Sequence, residues 1–399
     1  MTAGPNGSSA PPPPIAVYVH WPYCERICPY CDFNVYKNRE VDAAAWRAAL
    51  IADLQAWAAR TGPRRLQSLY FGGGTPSLCP PSIIEAVIET CLSLWPSDQA
   101  GAATSMSSDV ISAPEITLEA NPTDAERAHF QTLAALGINR LSLGVQSFDD
   151  AQLAFLGRNH DGDAAHRALD SALQAFKRVS FDLIYALPDE SASAWRARLC
   201  EALAFGAGHL SVYQLTIEPG TAFERAVERN AFSPPSSDLG ASLFEITQEE
   251  TAVAGLPAYE ISNHARPDEE SRHNRAYWRG EDYVGVGPGA HGRLTQGGAR
   301  VAFETVRAPA DYLAKCRSDG DGVLLENPLS EEEAFIERLA MGLRAREGLV
   351  LDVKDWMRIS DAATPLIEDN LCTYENGRFR ATEPGRQVLN AVIAALLSD

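Results

Sequence analysis

The chain has 399 residues, 45% of them hydrophobic, and sets 34 Lys and Arg against 53 Asp and Glu, a formal net charge of -19. That length can bury one large core and a smaller appended one, while the acidic surplus works against nucleic-acid binding, which Lys and Arg supply by neutralising phosphates. No apolar run reaches about 18 residues, so no transmembrane helix is expected, and the chain reads as a soluble, cytoplasmic protein whose thiols stay reduced.

Taken in order, residues 1–14 join small uncharged residues to four consecutive prolines and read as a disordered leader without the apolar stretch of a signal peptide. From residue 15, short apolar runs alternate with helical patterns, the rhythm of βα units. Strands are expected at Ile15–His20, Leu66–Phe71, Glu115–Ala120, Arg140–Val145, Ser180–Ala186 and Leu210–Thr216. Helices are expected at Asp42–Arg60, Pro81–Leu94, Asp124–Leu136, Asp163–Phe176 and Ser193–Ala204. Six such units predict an α/β fold, a partial (β/α)6 barrel over residues 15–305. Residues 97–114 lack periodicity and look like a flexible insertion before the third strand.

From about residue 306 the rhythm changes. Ser330 and Glu333 form a capping box ahead of a helix carrying Phe335, Ile336, Leu339, Ala340 and Leu343 on one face. Leu371–Tyr374, the turn Glu375-Asn376-Gly377 and Arg378–Ala381 predict a hairpin, followed by a helix over Pro384–Leu397. Residues 306–399 are therefore expected to form a small helical, winged-helix-like domain, and at this net charge it reads as a packing module.

The chemistry concentrates where the first strand ends. Cys24, Cys28 and Cys31 follow one another in a C-x3-C-x2-C arrangement. Three thiolates satisfy three irons of a 4Fe-4S cube and leave the fourth open to a small chelating molecule. Three Cys with His20 also make a structural zinc set, although such sites usually draw their ligands as two separated pairs. A disulfide framework does not fit, because Cys79, Cys91, Cys200, Cys316 and Cys372 are scattered singly and read as buried small hydrophobes.

Parallel barrels bind ligands at the carboxyl ends of their strands. The second expected strand ends in Phe71-Gly72-Gly73-Gly74-Thr75-Pro76, where missing side chains admit a ligand close to the backbone. The third ends with Glu119, the fourth with Gln146, and the fifth carries Asp182. A carboxylate in an apolar strand is costly to bury unless a partner such as a ribose hydroxyl or an ammonium group satisfies it. Arg158 can make a two-pronged contact to a carboxylate.

The cysteine spacing closely resembles that of the radical SAM family. There the open iron takes the amino and carboxylate groups of S-adenosylmethionine, and one electron from the cluster splits the sulfonium to a 5′-deoxyadenosyl radical. The resemblance implies cofactor contacts at Gly73, Gly74, Thr75, Glu119, Gln146, Arg158 and Asp182, with Tyr18 and Tyr30 packing beside the cluster and adenine. Tyr-Val-His-Trp-Pro-Tyr-Cys, Phe-Gly-Gly-Gly-Thr-Pro-Ser, Leu-Ser-Leu-Gly-Val-Gln-Ser-Phe and Asp-Leu-Ile-Tyr-Ala-Leu-Pro narrow it. They resemble the group that holds oxygen-independent coproporphyrinogen III oxidase and its sister branch, the haem chaperones of the HemW type. The oxidase has a fourth cysteine two residues after the third, where this chain has Phe33. The haem-chaperone branch has an H-N-x-x-Y-W motif, matched here by His273-Asn274-Arg275-Ala276-Tyr277-Trp278. The resemblance thus implies haem carriage to haem-accepting respiratory proteins, with coproporphyrinogen oxidation as the alternative. His273 is the expected haem ligand, with His20 and His291 as rivals, because imidazole is the usual protein ligand to haem iron.

Overall fold

The computed structural model describes residues 12–37, 40–97 and 113–398. Residues 1–11 of the expected leader and 98–112 of the expected insertion lie outside the described residues, and Pro14, assigned to the leader from sequence, already opens a strand.

Six parallel strands carry the barrel: β1 (Pro14–Trp21), β2 (Arg65–Gly73), β3 (Glu115–Ala120), β4 (Arg140–Gln146), β5 (Arg178–Tyr185) and β6 (His209–Gln214). Five more extend the sheet: β7 (Asn263–Ala265), β8 (Tyr283–Val286), β9 (His291–Gln296), β10 (Ala299–Thr305) and β11 (Val323–Pro328). The spatial order is β11-β10-β9-β8-β1-β2-β3-β4-β5-β6-β7, so the sheet curves without closing. Strand β8 joins β1 in parallel and β9 to β11 continue antiparallel.

Alternation along the strands divides the two faces. Ile15, Val17, Val19 and Trp21 of β1 join the apolar core, whereas Tyr18 and His20 point into the barrel beside Tyr70 and Gly72 of β2. The helix Ala43–Thr61 starts where Asp42 accepts a hydrogen bond from the Ala45 amide (3.0 Å) and buries Trp46, Leu50, Leu54 and Trp57 against the sheet. Spacings of four, four and three residues put these on one stripe, and each such burial contributes about 2 kcal/mol or more.

Two expected helices differ in detail. Asp124–Leu136 is broken into Asp124–Arg127 and Phe130–Ala135. The next helix starts at Gly162 rather than Asp163, capped by Asp161, whose side chain accepts from the Ala164 amide.

A second apolar cluster begins at Phe335 and includes Leu339, Leu343, Ile359, Phe379 and Val392. It packs around the helices Glu331–Gly342 and Val353–Glu368 and a small antiparallel sheet of β12 (Leu349–Val350), β13 (Cys372–Glu375) and β14 (Arg378–Ala381). The Ser330–Glu333 capping box is present. Residues 306–328 instead supply a helix, Pro309–Asp319, and β11 to the large sheet. The final expected helix is split into Glu383–Gln387 and Leu389–Leu396.

Candidate functional site

The cysteine loop is pinned on both sides. On one side the amides of Gly74 and Thr75 donate to the carbonyls of Trp21 (2.7 Å) and Tyr23 (2.9 Å), which fastens the glycine turn after β2 to the end of β1. A Cβ on Gly73, whose φ is +106°, would sit 2.6 Å from the His20 ring, so this turn requires glycine. On the other side the Phe223 amide donates to the Pro29 carbonyl (3.0 Å), and a Cβ on Gly157 would lie 2.6 Å from the Pro29 ring. The adjacent Arg158 donates to the Cys28 sulfur at 3.3 Å, the Gly144 carbonyl at 2.8 Å and the Asn121 side chain. Its Nε is buried without a partner among the described residues.

Cys24 is buried while Cys28 and Cys31 are half-buried, and all three open on one cavity of about 420 Å³ at the carboxyl ends of the strands. Tyr30, Gly73, Gly74, Thr75, Glu119, Gln146, Arg158 and Asp182 line the same cavity. Strand register brings Glu119 beside Ser142 and Asp182 beside Ser211. Glu119 accepts from the Tyr70 hydroxyl (2.8 Å) and the Gly73 amide (3.2 Å), yet burial, reinforced by Asp182, pushes its pKa up to about 7. Burial likewise pushes Asp182 up to about 6 against a hydrogen bond from Ser211. It raises the Cys24 thiol and lifts Cys31 to about 11. Gln146 holds φ at +68°, a strained position for a side-chain-bearing residue at the mouth of the barrel.

Sequence reasoning missed Asn121, which braces Arg158, and Tyr213, at the end of β6, which lines the cavity. Their position on strand ends was the available signal for both.

Several expected positions lie elsewhere. Tyr18 does not line this cavity; it donates to or accepts from His20 Nδ1 (3.1 Å) and packs in the barrel against Tyr70 and His273. His273, the expected haem ligand, is 1% exposed. Its Nδ1 meets the Ser68 hydroxyl at 3.0 Å, its Nε2 meets the Tyr277 hydroxyl at 2.8 Å, and its ring stacks on Tyr70. With both nitrogens engaged, it offers no lone pair to haem iron. Burial lowers its pKa to about 3, so the ring is neutral. The His-Asn-x-x-Tyr-Trp segment thus forms the helix Arg272–Trp278 that closes the barrel against β2. His20 is also engaged at both nitrogens, through Tyr18 and the Asn34 carbonyl (2.9 Å). Cys200, expected to be buried, is exposed, while Cys79, Cys91, Cys316 and Cys372 are buried. No helix among the described residues is long and apolar enough to cross a membrane.

Comparison with known proteins accounts for this architecture. The family model of the radical SAM superfamily matches residues 18–198, and that of the HemN C-terminal domain matches residues 329–388. The chain is 37% identical to the mitochondrial radical S-adenosyl methionine domain-containing protein 1 of Bos taurus, with 100% of this chain and 90% of that protein covered. It is 32% identical to the heme chaperone HemW of Mycobacterium tuberculosis, covering 98% of this chain and 97% of the relative. Identity to HemW of Bacillus subtilis is 31%, over 96% and 99% of the two chains. The structure of coproporphyrinogen III oxidase (HemN) from Escherichia coli superposes with a TM-score of 0.77 at 20% identity, over 97% of this chain and 90% of that one, a likeness of fold. The chain belongs to the radical SAM superfamily and, within it, to the HemN-like group that includes the haem chaperone HemW.

Proposed function

We propose that the chain is a haem chaperone built on a radical SAM scaffold, holding a 4Fe-4S cluster and S-adenosylmethionine and delivering haem to haem-requiring respiratory proteins in the cytoplasm. The observation that carries the cofactor reading is the cavity in which three thiols meet the glycine turn, two strand-borne carboxyls and an arginine. Three thiols spaced C-x3-C-x2-C and opening on that one cavity suit the three-cysteine attachment of an iron-sulfur cube. Cys24, Cys28 and Cys31 would hold the cluster. Gly73, Gly74 and Thr75 would lie along the methionine end of S-adenosylmethionine, with Glu119, Gln146, Arg158, Asp182 and Tyr30 around the remainder. When bound, the cluster supplies single electrons and one iron site open to a chelating ligand.

The residues of the chain prepare that site in three ways. Arg158 orients the cysteine loop through its contact to Cys28. Glu119 and Asp182 line the cavity and would attract the fixed positive charge of a sulfonium ligand held there, more strongly than in water because both carboxyls are buried. Phe33 stands where the oxidase branch has its extra thiol, which leaves three cysteine ligands and supports carriage of haem over oxidation of coproporphyrinogen.

Haem carriage is tested by loading the anaerobically reconstituted protein with haem and mixing it with an apo-cytochrome acceptor. Growth of the acceptor's Soret band at the carrier's expense is expected. If anaerobic incubation with reductant, S-adenosylmethionine and coproporphyrinogen III yields protoporphyrinogen IX, the carrier reading is overturned in favour of an oxidase.

The carboxyl groups predict a pH dependence. Glu119 titrates near 7 and Asp182 near 6, both raised by burial, so both lose their charge as pH falls through those values. A cationic ligand gains from their ionisation. Affinity for S-adenosylmethionine is therefore expected to rise between pH 6 and pH 8, by up to about tenfold for a group titrating near 7. Isothermal titration of the reconstituted protein should show the rise, and Glu119→Gln should flatten it. An equal slope in that variant would remove Glu119 from the ligand's surroundings.

A further inference from the structure

Beside the cysteine cavity lies a second one of about 450 Å³, within the range of roughly 300–1000 Å³ that organic cofactors occupy. Asp32 and Phe33 line both, so the cluster loop is the wall between them. The far side is built from β9, β10, the bend after β10 and the second domain, through His291, Glu304, Arg307 and Met341 respectively. From the haem-carrier reading above, on which this step rests, we infer that this second cavity is the haem-docking site and that His291 is its iron ligand.

Four observations carry the assignment. First, His291 is exposed at the start of β9, and neither ring nitrogen has a hydrogen-bond partner among the described residues, whereas His20 in the same cavity has both engaged. Second, the cavity does not group three chelating side chains, so a bare metal ion is not its natural guest. A metal that arrives with its own four equatorial nitrogens needs only the single imidazole that His291 presents. Third, Phe33 is 62% exposed on the dividing wall, and with Tyr283 and Met341 it supplies apolar and aromatic surface for a flat macrocycle. Fourth, Arg307 is exposed and its guanidinium is in no ion pair among the described residues, which leaves it free for a propionate. Asp32 and Glu304 add negative charge to the walls, which disfavours a simple anion and favours a ligand that brings a metal and apolar area along with its carboxylates.

The test is a titration of the full chain with ferric haem, in parallel with iron-free protoporphyrin IX, with iron and sulfide content and circular dichroism as controls for an intact fold. In the wild-type protein haem should bind saturably with a shifted Soret band. His291→Ala should weaken haem binding by about tenfold or more and alter the Soret position, and added imidazole should restore the band. Binding of iron-free protoporphyrin should be unaffected by His291→Ala and weakened by Arg307→Ala. Wild-type affinity and an unchanged Soret band in His291→Ala would overturn the assignment of the site while leaving haem carriage standing. Absence of saturable haem binding by the wild-type protein would overturn the haem-carrier reading itself.

Discussion

Replacing Cys24, Cys28 and Cys31 together by alanine is expected to remove essentially all iron and acid-labile sulfide from protein prepared without oxygen, and Cys28→Ala alone most of it. Each thiolate serves one iron, and no fourth cysteine lies along the loop to replace a lost one, since Phe33 stands two residues after Cys31. Burial raises the Cys24 thiol and pushes Cys31 to about 11, so the metal-free site holds neutral thiols there at pH 7. Iron must displace those protons, and cluster assembly should release acid. Iron and sulfide quantification, with absorbance near 400 nm, gives the result. Retention of iron by the triple variant would overturn the cluster assignment. The loop has little freedom to recruit another donor, because Gly157 packs against Pro29, the Phe223 amide holds the Pro29 carbonyl and Arg158 reaches Cys28.

Strands β1 to β6 were legible in the sequence because each is buried on both faces and appears as a compact apolar run between helical segments. Strands β7 to β11 were not. Asn263–Ala265 and Tyr283–Val286 are three and four residues long, and β8 is stabilised by β1, through pairs such as Ala16 with Tyr283, which no local pattern reveals. The gathering of Glu119, Gln146 and Asp182 with the cysteines follows from barrel topology, which brings the strand ends together whatever the loops do. Histidine chemistry was less readable. His273 and His291 look alike as single residues, and what separates them is set by their partners, one of them far away in the chain. Ser68 and Tyr277 occupy the nitrogens of the first, while the second stands on an antiparallel strand at the rim of a cavity. Arg158 was expected to reach a ligand carboxylate, and in the structure its guanidinium spends several of its donors on the protein, leaving Nε unpaired.

The opposite end of the barrel carries the second large effect. Glu115 opens β3 with its carboxylate fully buried. It accepts from Arg140 Nε at 2.9 Å and Arg178 Nη1 at 3.0 Å, and its other oxygen accepts from the Arg272 amide at 2.8 Å. The two arginines open β4 and β5, so one carboxylate joins three neighbouring strands and fastens the segment leading into the helix Arg272–Trp278. Removing Glu115 leaves the buried Arg140 without a carboxylate among the described residues, which costs about 3–5 kcal/mol, while Arg178 keeps its pair with Glu269 (3.0 Å). Glu115→Ala should therefore lower the melting temperature of the full chain by roughly 5–10 °C, read by differential scanning calorimetry. Because this network lies at the amino ends of the strands, away from the cysteine cavity, cluster content of the variant reconstituted at low temperature should match the wild type. A melting temperature unchanged within about 1 °C would mean that the two guanidiniums are held sufficiently by the backbone carbonyls of Asp268, Glu269 and Glu270, which they also meet. The carboxylate would then add little to stability. A stability loss accompanied by loss of iron at low temperature would instead show that the strand ends at the two mouths of the barrel are coupled through the sheet.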